Sequence, residues 1–205
     1  MSRVSPRGSR RQESAAQTRE LILNAAAELF ATGGYAATTV NDVAAAARVA
    51  VATVYTSVGG KPTLVRALIA RAVDDPATRQ TVRAVRRATG PAEVIQLTAA
   101  GTRHGHEAHR QVLRLMGTTM AVDPTIADAV REAVRSYREA LRVSAVRLAE
   151  LSALRDDLTV DRAADILWFH FGLHSWEPLT EDCGWSYEEA QRWLTAQADA
   201  ALLRR

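Results

Sequence analysis

The sequence has little of what marks disulfide-rich, metal-thiolate or membrane-spanning proteins. It has one cysteine, Cys183, in 205 residues, which excludes an internal disulfide framework and a thiolate-rich metal site. No apolar run approaches the ~18 residues that a membrane-spanning helix needs, so no membrane partner is expected. The N-terminal stretch MSRVSPRGSRRQES is charged and has no apolar core, unlike a secretory signal. Together these features predict a reduced, soluble, cytoplasmic protein.

Proline is also scarce, and the chain has no sustained alternation of apolar and polar residues that would indicate strands. There are 6 prolines, whereas alanine, the strongest helix former, occupies 39 positions. Apolar residues recur at helical spacing instead. Because 47% of the residues are hydrophobic and 24% are charged, the chain has enough apolar surface to fold. The sequence therefore predicts an all-helical protein.

Charge is distributed unevenly along the chain. Residues 1–73 contain nine basic and four acidic side chains, a net charge of +5, and since the whole chain carries +3 the remainder carries −2. A basic N-terminal part beside a nearly neutral remainder favours a polyanionic partner at that end.

Helix start and stop signals divide the chain into segments. Residues 1–13 are polar and carry four arginines, which predicts a flexible basic arm. A first helix is expected from a capping box at Ser14 to Gly33-Gly34, where the glycines end it. Later helix starts are predicted at Thr39, Val51, Lys61, Pro91, Pro124, Thr159 or Asp161, and Ser186. Gly105 predicts a break or loop in the polar run around residue 105.

Three short helices with a tight turn between the second and the third form a helix-turn-helix pattern. The third helix of such a unit can lie in the major groove of DNA. Thr39 places a hydroxyl and a helix N-terminus at the domain surface, and both can contact a phosphate. Tyr55 on the third helix and Lys61 just after it can do the same. The pattern therefore favours binding to double-stranded DNA.

The stretch TRELILNAAAELFATGGYAATTVNDVAAAARVAVATVYTSVGGKPTLV resembles the DNA-binding domain of the TetR family of transcriptional regulators. The shared features are LF-x-x-x-GY, TTV, V-A-x-x-A, TVY and a lysine before the fourth helix. Nearer the C-terminus, DRAADILW and GWSYEEAQRWL are similar to the usual ending of that family. The resemblance implies a homodimer whose N-terminal helices read operator DNA and whose C-terminal helices dimerise and bind a small molecule.

The resemblance also implies a division of the chain and roles for particular residues. A helix-turn-helix domain would occupy 14–60, and a ligand-binding and dimerisation domain 61–205, with 61–75 as the linking helix. Side chains matching phosphate-contacting positions are Thr39, Tyr55 and Lys61. Those on or near the exposed face of the matching recognition helix are Val51, Ala52, Thr53, Thr56 and Ser57. Those expected at the dimer contact are Trp193, Leu194 and Leu202.

The recognition helix departs from the family pattern in ways that affect specificity. Arg48 stands where the family often has glycine, and Ala50 replaces a usual serine cap. The exposed face lacks arginine, lysine, asparagine and glutamine, the usual bidentate readers of guanine and adenine. Readout is therefore expected through thymine methyl contacts, hydroxyls and DNA shape. The arm arginines Arg7, Arg10 and Arg11 are candidates for phosphate or minor-groove contacts.

The C-terminal part offers candidate ligand residues and no support for catalysis. Met116 and Met120 provide adaptable apolar surface between central helices, and Trp168 and His170 are candidate lining residues. The effector is expected to be a largely apolar small molecule. His104, His106 and His109 are spaced closely enough to bind zinc or nickel, although a solvated turn is the simpler interpretation. No cofactor is expected.

The sequence therefore predicts a ligand-responsive repressor that a small molecule releases from a near-palindromic operator. The alternative is a helical small-molecule or metal-binding protein with a weak or vestigial DNA-binding domain. The residues near the N-terminus favour the first interpretation, whereas the uncharged recognition face favours the second.

Overall fold

A computed structural model describes residues 6–120 and 123–204, with backbone only for residues 6–11. The helices in these ranges are α1 (Pro6–Ala37), α2 (Val40–Ala46), α3 (Val51–Ser57), α4 (Lys61–Val73), α5 (Pro76–Arg87), α6 (Pro91–Thr119), α7 (Pro124–Glu150), α8 (Val160–Phe171) and α9 (Tyr187–Leu202). A π-helical turn covers Pro178–Asp182. Over the same ranges there is no β-strand, only an isolated bridge between Leu154 and Leu203. The prediction of an all-α fold is confirmed.

Local capping chemistry explains why several helices begin where they do. Thr39 and Ser186 each form a complete capping box at the start of α2 and α9. The Thr159 hydroxyl caps α8 by accepting from the backbone N–H of Arg162 (3.2 Å). Asp123 accepts from the backbone N–H of Thr125 (2.8 Å) at the start of α7. Each of these four helix starts was predicted from the sequence.

Helix α1 begins earlier than its sequence predicts. It starts at Pro6 rather than near Ser14, so residues 6–13, predicted as a flexible arm, are helical. Proline suits a first helical turn, and the segment after it contains good helix formers and no second proline. Gly34, with φ 77°, interrupts the helix near its predicted end. Residues 1–5 and the side chains of Arg7, Arg10 and Arg11 lie outside the described part of the chain.

The chain forms two compact units. Unit 1 contains the residues up to Arg71 together with 114–130, and unit 2 contains 72–113 together with the residues from Arg131 onward. Unit 1 therefore takes in most of α4, which was predicted to open the C-terminal domain. Arg71 of α4 donates to the side chains of Glu20 (3.1 Å) and Asn24 (2.8 Å) on α1, which ties α4 to the preceding helices.

Each unit has its own buried apolar side chains. In unit 1, helices α1, α2 and α3 contact one another. The residues of these helices and of α4 that are buried include Ile22, Ala26, Phe30, Val43, Val54, Leu64 and Leu68. In unit 2, α8 packs on α9, and one hydrophobic core includes Val85, Ile95, Leu141, Leu148, Leu167, Phe171, Trp176, Leu194 and Leu202. Within the described residues, no helix combines the length and the apolar character that crossing a membrane requires.

Candidate DNA-binding site

The turn between α2 and α3 is a Schellman motif. The backbone N–H of Arg48 donates to the carbonyl of Ala45 (3.1 Å), and that of Val49 donates to the carbonyl of Ala44 (3.0 Å). Arg48 adopts the left-handed conformation that this motif requires, with φ 56°. Arg48 thus adopts the backbone conformation that glycine usually provides at this position, and its side chain is exposed.

Thr39 uses its hydroxyl to cap α2. The hydroxyl oxygen accepts from the backbone N–H of Asp42 (3.2 Å) and the hydroxyl donates to Asp42 Oδ2 (2.7 Å). The Thr39 backbone N–H donates to the same oxygen (2.8 Å). Hydrogen bonds from the Thr39 side chain and backbone lower the pKa of Asp42 from its ordinary value, against a smaller effect of burial. The capping box thus places a carboxylate at the helix end where a phosphate contact by Thr39 is predicted.

Helix α3 buries one residue deeply and leaves most of the others accessible. Val54 is fully buried, whereas Val51, Ala52, Tyr55 and Thr56 are exposed. The remaining predicted contact residues, Thr53 and Ser57, are half-buried. The Thr56 hydroxyl donates to the carbonyls of Ala52 (3.0 Å) and Thr53 (3.3 Å). The exposed face therefore presents aliphatic groups, hydroxyls and one phenol.

Arg19 fixes the end of α3 and was not identified from the sequence. Its Nη1 atom donates to the backbone carbonyl of Ser57 (2.8 Å), the last residue of α3, and the contact is partly buried. A cation at a helix C-terminus also interacts favourably with the helix dipole. Nothing in the spacing of the α1 residues distinguishes Arg19 from other basic residues, because the contact spans 38 positions. Arg19 thus ties the end of α3 to α1.

Lys61 turns back toward the end of α1. Its Nζ atom donates to the backbone carbonyl of Ala36 (3.0 Å) and lies 4.3 Å from the centre of the Tyr35 ring. These contacts use one of the three ammonium N–H groups and leave two others able to donate. The Lys61 ammonium therefore has a structural contact within unit 1 in addition to the phosphate contact that is predicted for it.

The histidine run lies within α6 of unit 2, not in a loop. The helix passes through Gly105 and departs from helical geometry at His109 instead (φ −116°, ψ 17°), which corrects the predicted break. The Nε2 atoms of His104 (3.3 Å) and His109 (2.7 Å) both contact Asp75 Oδ2. His106 is buried elsewhere, against Trp176. Among residues 6–120 and 123–204, no group of three His, Cys, Asp or Glu side chains is placed to hold a metal ion.

Asp75 organises the start of α5. Its Oδ1 atom accepts from the backbone N–H of Ala77 (2.8 Å). Burial opposes ionisation, but the hydrogen bonds from Ala77, His109 and His104 outweigh it and hold the pKa of Asp75 below its ordinary value. His104 and His109 thus have a structural role, because they contact the carboxylate that caps α5.

The predicted ligand residues fall in both units. Met116 is buried and Met120 is 41% exposed, and both belong to unit 1. In unit 2, Trp168 packs edge-on against Tyr137 at 5.7 Å between ring centres. His170 Nδ1 contacts the carbonyl of Ile166 in its own helix (2.9 Å). A ligand role for these four residues stays a prediction.

Two of the three predicted dimerisation residues lie inside the protomer. Leu194 and Leu202 are 3% and 0% exposed and belong to the core of unit 2, and an interface role for them stays a prediction. Their helical spacing marked an apolar face, and α8 of the same chain covers that face. Trp193 is 45% exposed and packs edge-on against Trp185. Phe169 on α8, which the sequence did not single out for dimerisation, is 78% exposed.

Comparison with known proteins identifies the domain that contains α2 and α3. The family model of bacterial regulatory proteins, tetR family, matches residues 22–68. None of the curated proteins matches the chain.

Solved structures match over nearly the whole chain. A protein from Saccharomonospora viridis, described as a transcriptional regulator and solved in complex with choline, is 19% identical, with a TM-score of 0.76 over 93% of this chain and 100% of that chain. NalD, the secondary repressor of the MexAB-OprM multidrug efflux pump in Pseudomonas aeruginosa, is 21% identical, with a TM-score of 0.74 over 94% and 98%. SmeT in complex with triclosan is 19% identical, with a TM-score of 0.73 over 92% of each chain. These likenesses establish the fold.

Proposed function

We propose that this chain, whose residues 22–68 belong to the tetR family of bacterial regulatory proteins, is a homodimeric DNA-binding regulator that a small molecule releases from its operator. The observation that carries the proposal is helix α3, which lies within the family domain, exposes most of its residues and is fixed at its end by Arg19. A helix held rigidly at the protein surface has the geometry needed to enter a major groove.

The base-reading surface consists of the accessible side chains of α3. Apart from Tyr55, these are Val51, Ala52, Thr53, Thr56 and Ser57, so the contacts to bases are apolar contacts with thymine methyl groups and hydrogen bonds from hydroxyls. Tyr55 is 56% exposed and supplies a phenol to a phosphate. Lys61 contributes a positive charge beside the carbonyl of Ala36. Thr39 contributes mainly by fixing the start of α2.

The dimer is proposed to form through the outer surfaces of α8 and α9. Phe169 and Trp193 are large apolar side chains that their own chain leaves exposed. Burying them against a second copy removes this apolar surface from water. A two-fold dimer presents two α3 helices to half-sites about 34–36 Å apart, which predicts a near-palindromic operator.

The small-molecule response is proposed from the fold and from the ligands of similar structures. Choline and triclosan complexes exist for chains of this fold, which supports an organic effector for this one. Binding weakens operator affinity when the effector prefers a dimer whose α3 spacing no longer fits the two half-sites. A typical coupling of ~1–3 kcal/mol corresponds to about 5–150-fold in DNA affinity. This regulator acts by binding, without a catalytic step.

Two matched variants test the role of α3. Val51 on α3 and Val146 on α7 are both 38% exposed, so an aspartate at either site adds the same charge without emptying the core. Val51→Asp places a carboxylate against the phosphates and is expected to abolish operator binding in fluorescence anisotropy. Val146→Asp is expected to bind like the wild type, with sedimentation confirming that both variants have the wild-type oligomeric state. Equal operator affinity for the two variants would refute the proposal.

The absence of charged side chains among the described α3 residues favours a second candidate function. In that alternative the chain is a helical small-molecule-binding protein whose DNA-binding domain is vestigial. Salt-sensitive binding to DNA without any sequence preference, together with tight binding of an organic ligand, would support it.

A further inference from the structure

Two buried polar atoms of unit 2 lack a hydrogen-bond partner among the residues that the structure describes. They are Nε2 of His106 and Nε1 of Trp176. His106 is 6% exposed and Trp176 is 1% exposed, and their rings stack with centres 5.5 Å apart. A buried polar atom without a partner is costly and uncommon in native proteins, and here two lie on adjacent rings. The pair therefore calls for a partner that none of the described residues supplies.

The two atoms have complementary chemistry. His106 donates a ring N–H to the backbone carbonyl of Gly172. Because Nε2 is the nitrogen without a partner, Nδ1 is the donor and Nε2 carries a lone pair. Burial lowers the pKa of His106 to about 4, the Gly172 hydrogen bond opposes this effect, and His174 adds to it. At neutral pH the pair thus offers one acceptor, one indole N–H donor and no charge.

A single group that satisfies both atoms must both donate and accept. A hydroxyl donates to Nε2 and accepts from the indole N–H, whereas a carboxylate cannot donate and an ammonium cannot accept. Ions are further disfavoured because transferring a charge into a buried apolar region is expensive. We propose that His106 and Trp176 recognise a neutral hydroxyl on a largely apolar effector, an inference that rests on the proposed function and names the chemistry of its ligand.

The position of Trp176 indicates how such a ligand would enter. Both polar atoms are shielded from solvent, so a guest must displace part of the surrounding chain. Trp176 lies on the short connection between the end of α8 and the π-helical turn Pro178–Asp182. Irregular connections open at lower free energy than regular helices, and π-helical turns occur frequently at functional sites. Transient opening of residues 172–182 would admit the ligand, and reclosing would return Trp176 to His106.

Phenol and toluene form a matched pair of probes, since they differ by a hydroxyl in place of a methyl group. The full-length protein, labelled with ¹⁵N, is titrated with each while the Trp176 indole N–H and His106 Nε2 resonances are followed. Phenol is expected to bind at least about tenfold more tightly, as a hydrogen-bonded hydroxyl predicts, and to shift both resonances. Trp176→Phe and His106→Phe should remove the preference, whereas Trp185→Phe, at a half-buried tryptophan outside the pair, should retain it.

The wild-type titration decides the question even where a core variant folds poorly. Equal affinity for phenol and toluene, binding that leaves the Trp176 resonance unchanged, or no binding of phenol would each overturn the inference. A water molecule that stays hydrogen-bonded to the indole in the presence of phenol would also overturn it. No DNA is present, so the outcome is independent of operator binding: a sequence-specific regulator without hydroxyl preference refutes this inference alone.

Discussion

Replacing Lys61 with methionine separates a phosphate contact from a structural one. Methionine keeps an unbranched side chain beside Tyr35 and removes the ammonium, which lies 3.0 Å from the Ala36 carbonyl and 4.3 Å from the Tyr35 ring centre. An exposed hydrogen bond and an exposed cation–π contact each contribute about 0.5–1 kcal/mol, so the free energy of unfolding should fall by about 1–2 kcal/mol. That loss is expected whether or not Lys61 touches DNA.

The salt dependence of operator binding reports the phosphate contact separately. Each neutralised phosphate contributes about 0.9 to the slope of log affinity against log salt, so a dimer on two half-sites loses about 1.8 from its slope. Between roughly 50 and 200 mM salt, a fourfold change, the wild type should lose about 12-fold more affinity than the variant.

Fluorescence anisotropy at four salt concentrations, paired with urea unfolding, measures both quantities. Lys61→Arg serves as the control, because it keeps the charge and should leave the slope unchanged. An unchanged slope in Lys61→Met beside the expected loss of stability would show that Lys61 only secures the end of α1. The assignment of a phosphate to Lys61 would then be refuted.

Three further perturbations test other parts of the molecule. Tyr55→Phe should leave stability unchanged, since the side chain is 56% exposed, and weaken operator binding about tenfold through loss of a hydroxyl–phosphate hydrogen bond; equal affinity in anisotropy would rule that contact out. Phe169→Asp should convert the dimer to a monomer in sedimentation, because a 78% exposed apolar side chain would become charged at the contact; a dimer of unchanged strength would place the interface elsewhere. Stability should decline as pH falls from 6.5 to about 4, because the unfolded chain protonates His106 at its ordinary pKa of 6.5 and the folded protein only at a pKa of about 4. The loss amounts to about 3 kcal/mol, and His106→Phe should flatten that part of the urea-unfolding profile.

Features governed by neighbouring residues were predictable from the sequence. The caps at Thr39, Thr159 and Ser186 and the interruption at Gly34 depend on contacts within a few positions, and the structure has each of them. The predicted start of α1 was wrong. The sequence has a favourable cap at Ser14, but the segment before it can itself be helical, and the helix begins at Pro6.

Features governed by long-range packing were not predictable in the same way. The contact between Arg19 and Ser57 joins residues 38 positions apart, and Asp75 meets His109 across 34 positions. The spacing of apolar residues places Leu194 on an apolar helical face. It does not indicate whether the same chain or a second copy covers that face. The pairing of His106 with Trp176 likewise depends on where α6 lies against the connection after α8.

The sequence preference of the wild-type protein tests the central claim most directly. Fragments bound by the purified protein are selected from the source genome, and anisotropy compares the recovered sequence with a shuffled one at a stated salt concentration. A DNA-reading dimer predicts a near-palindrome bound about 10³-fold or more tightly than the shuffled sequence. Equal binding of the two sequences, or no binding at all, would contradict the assignment of α3 as a helix that reads an operator.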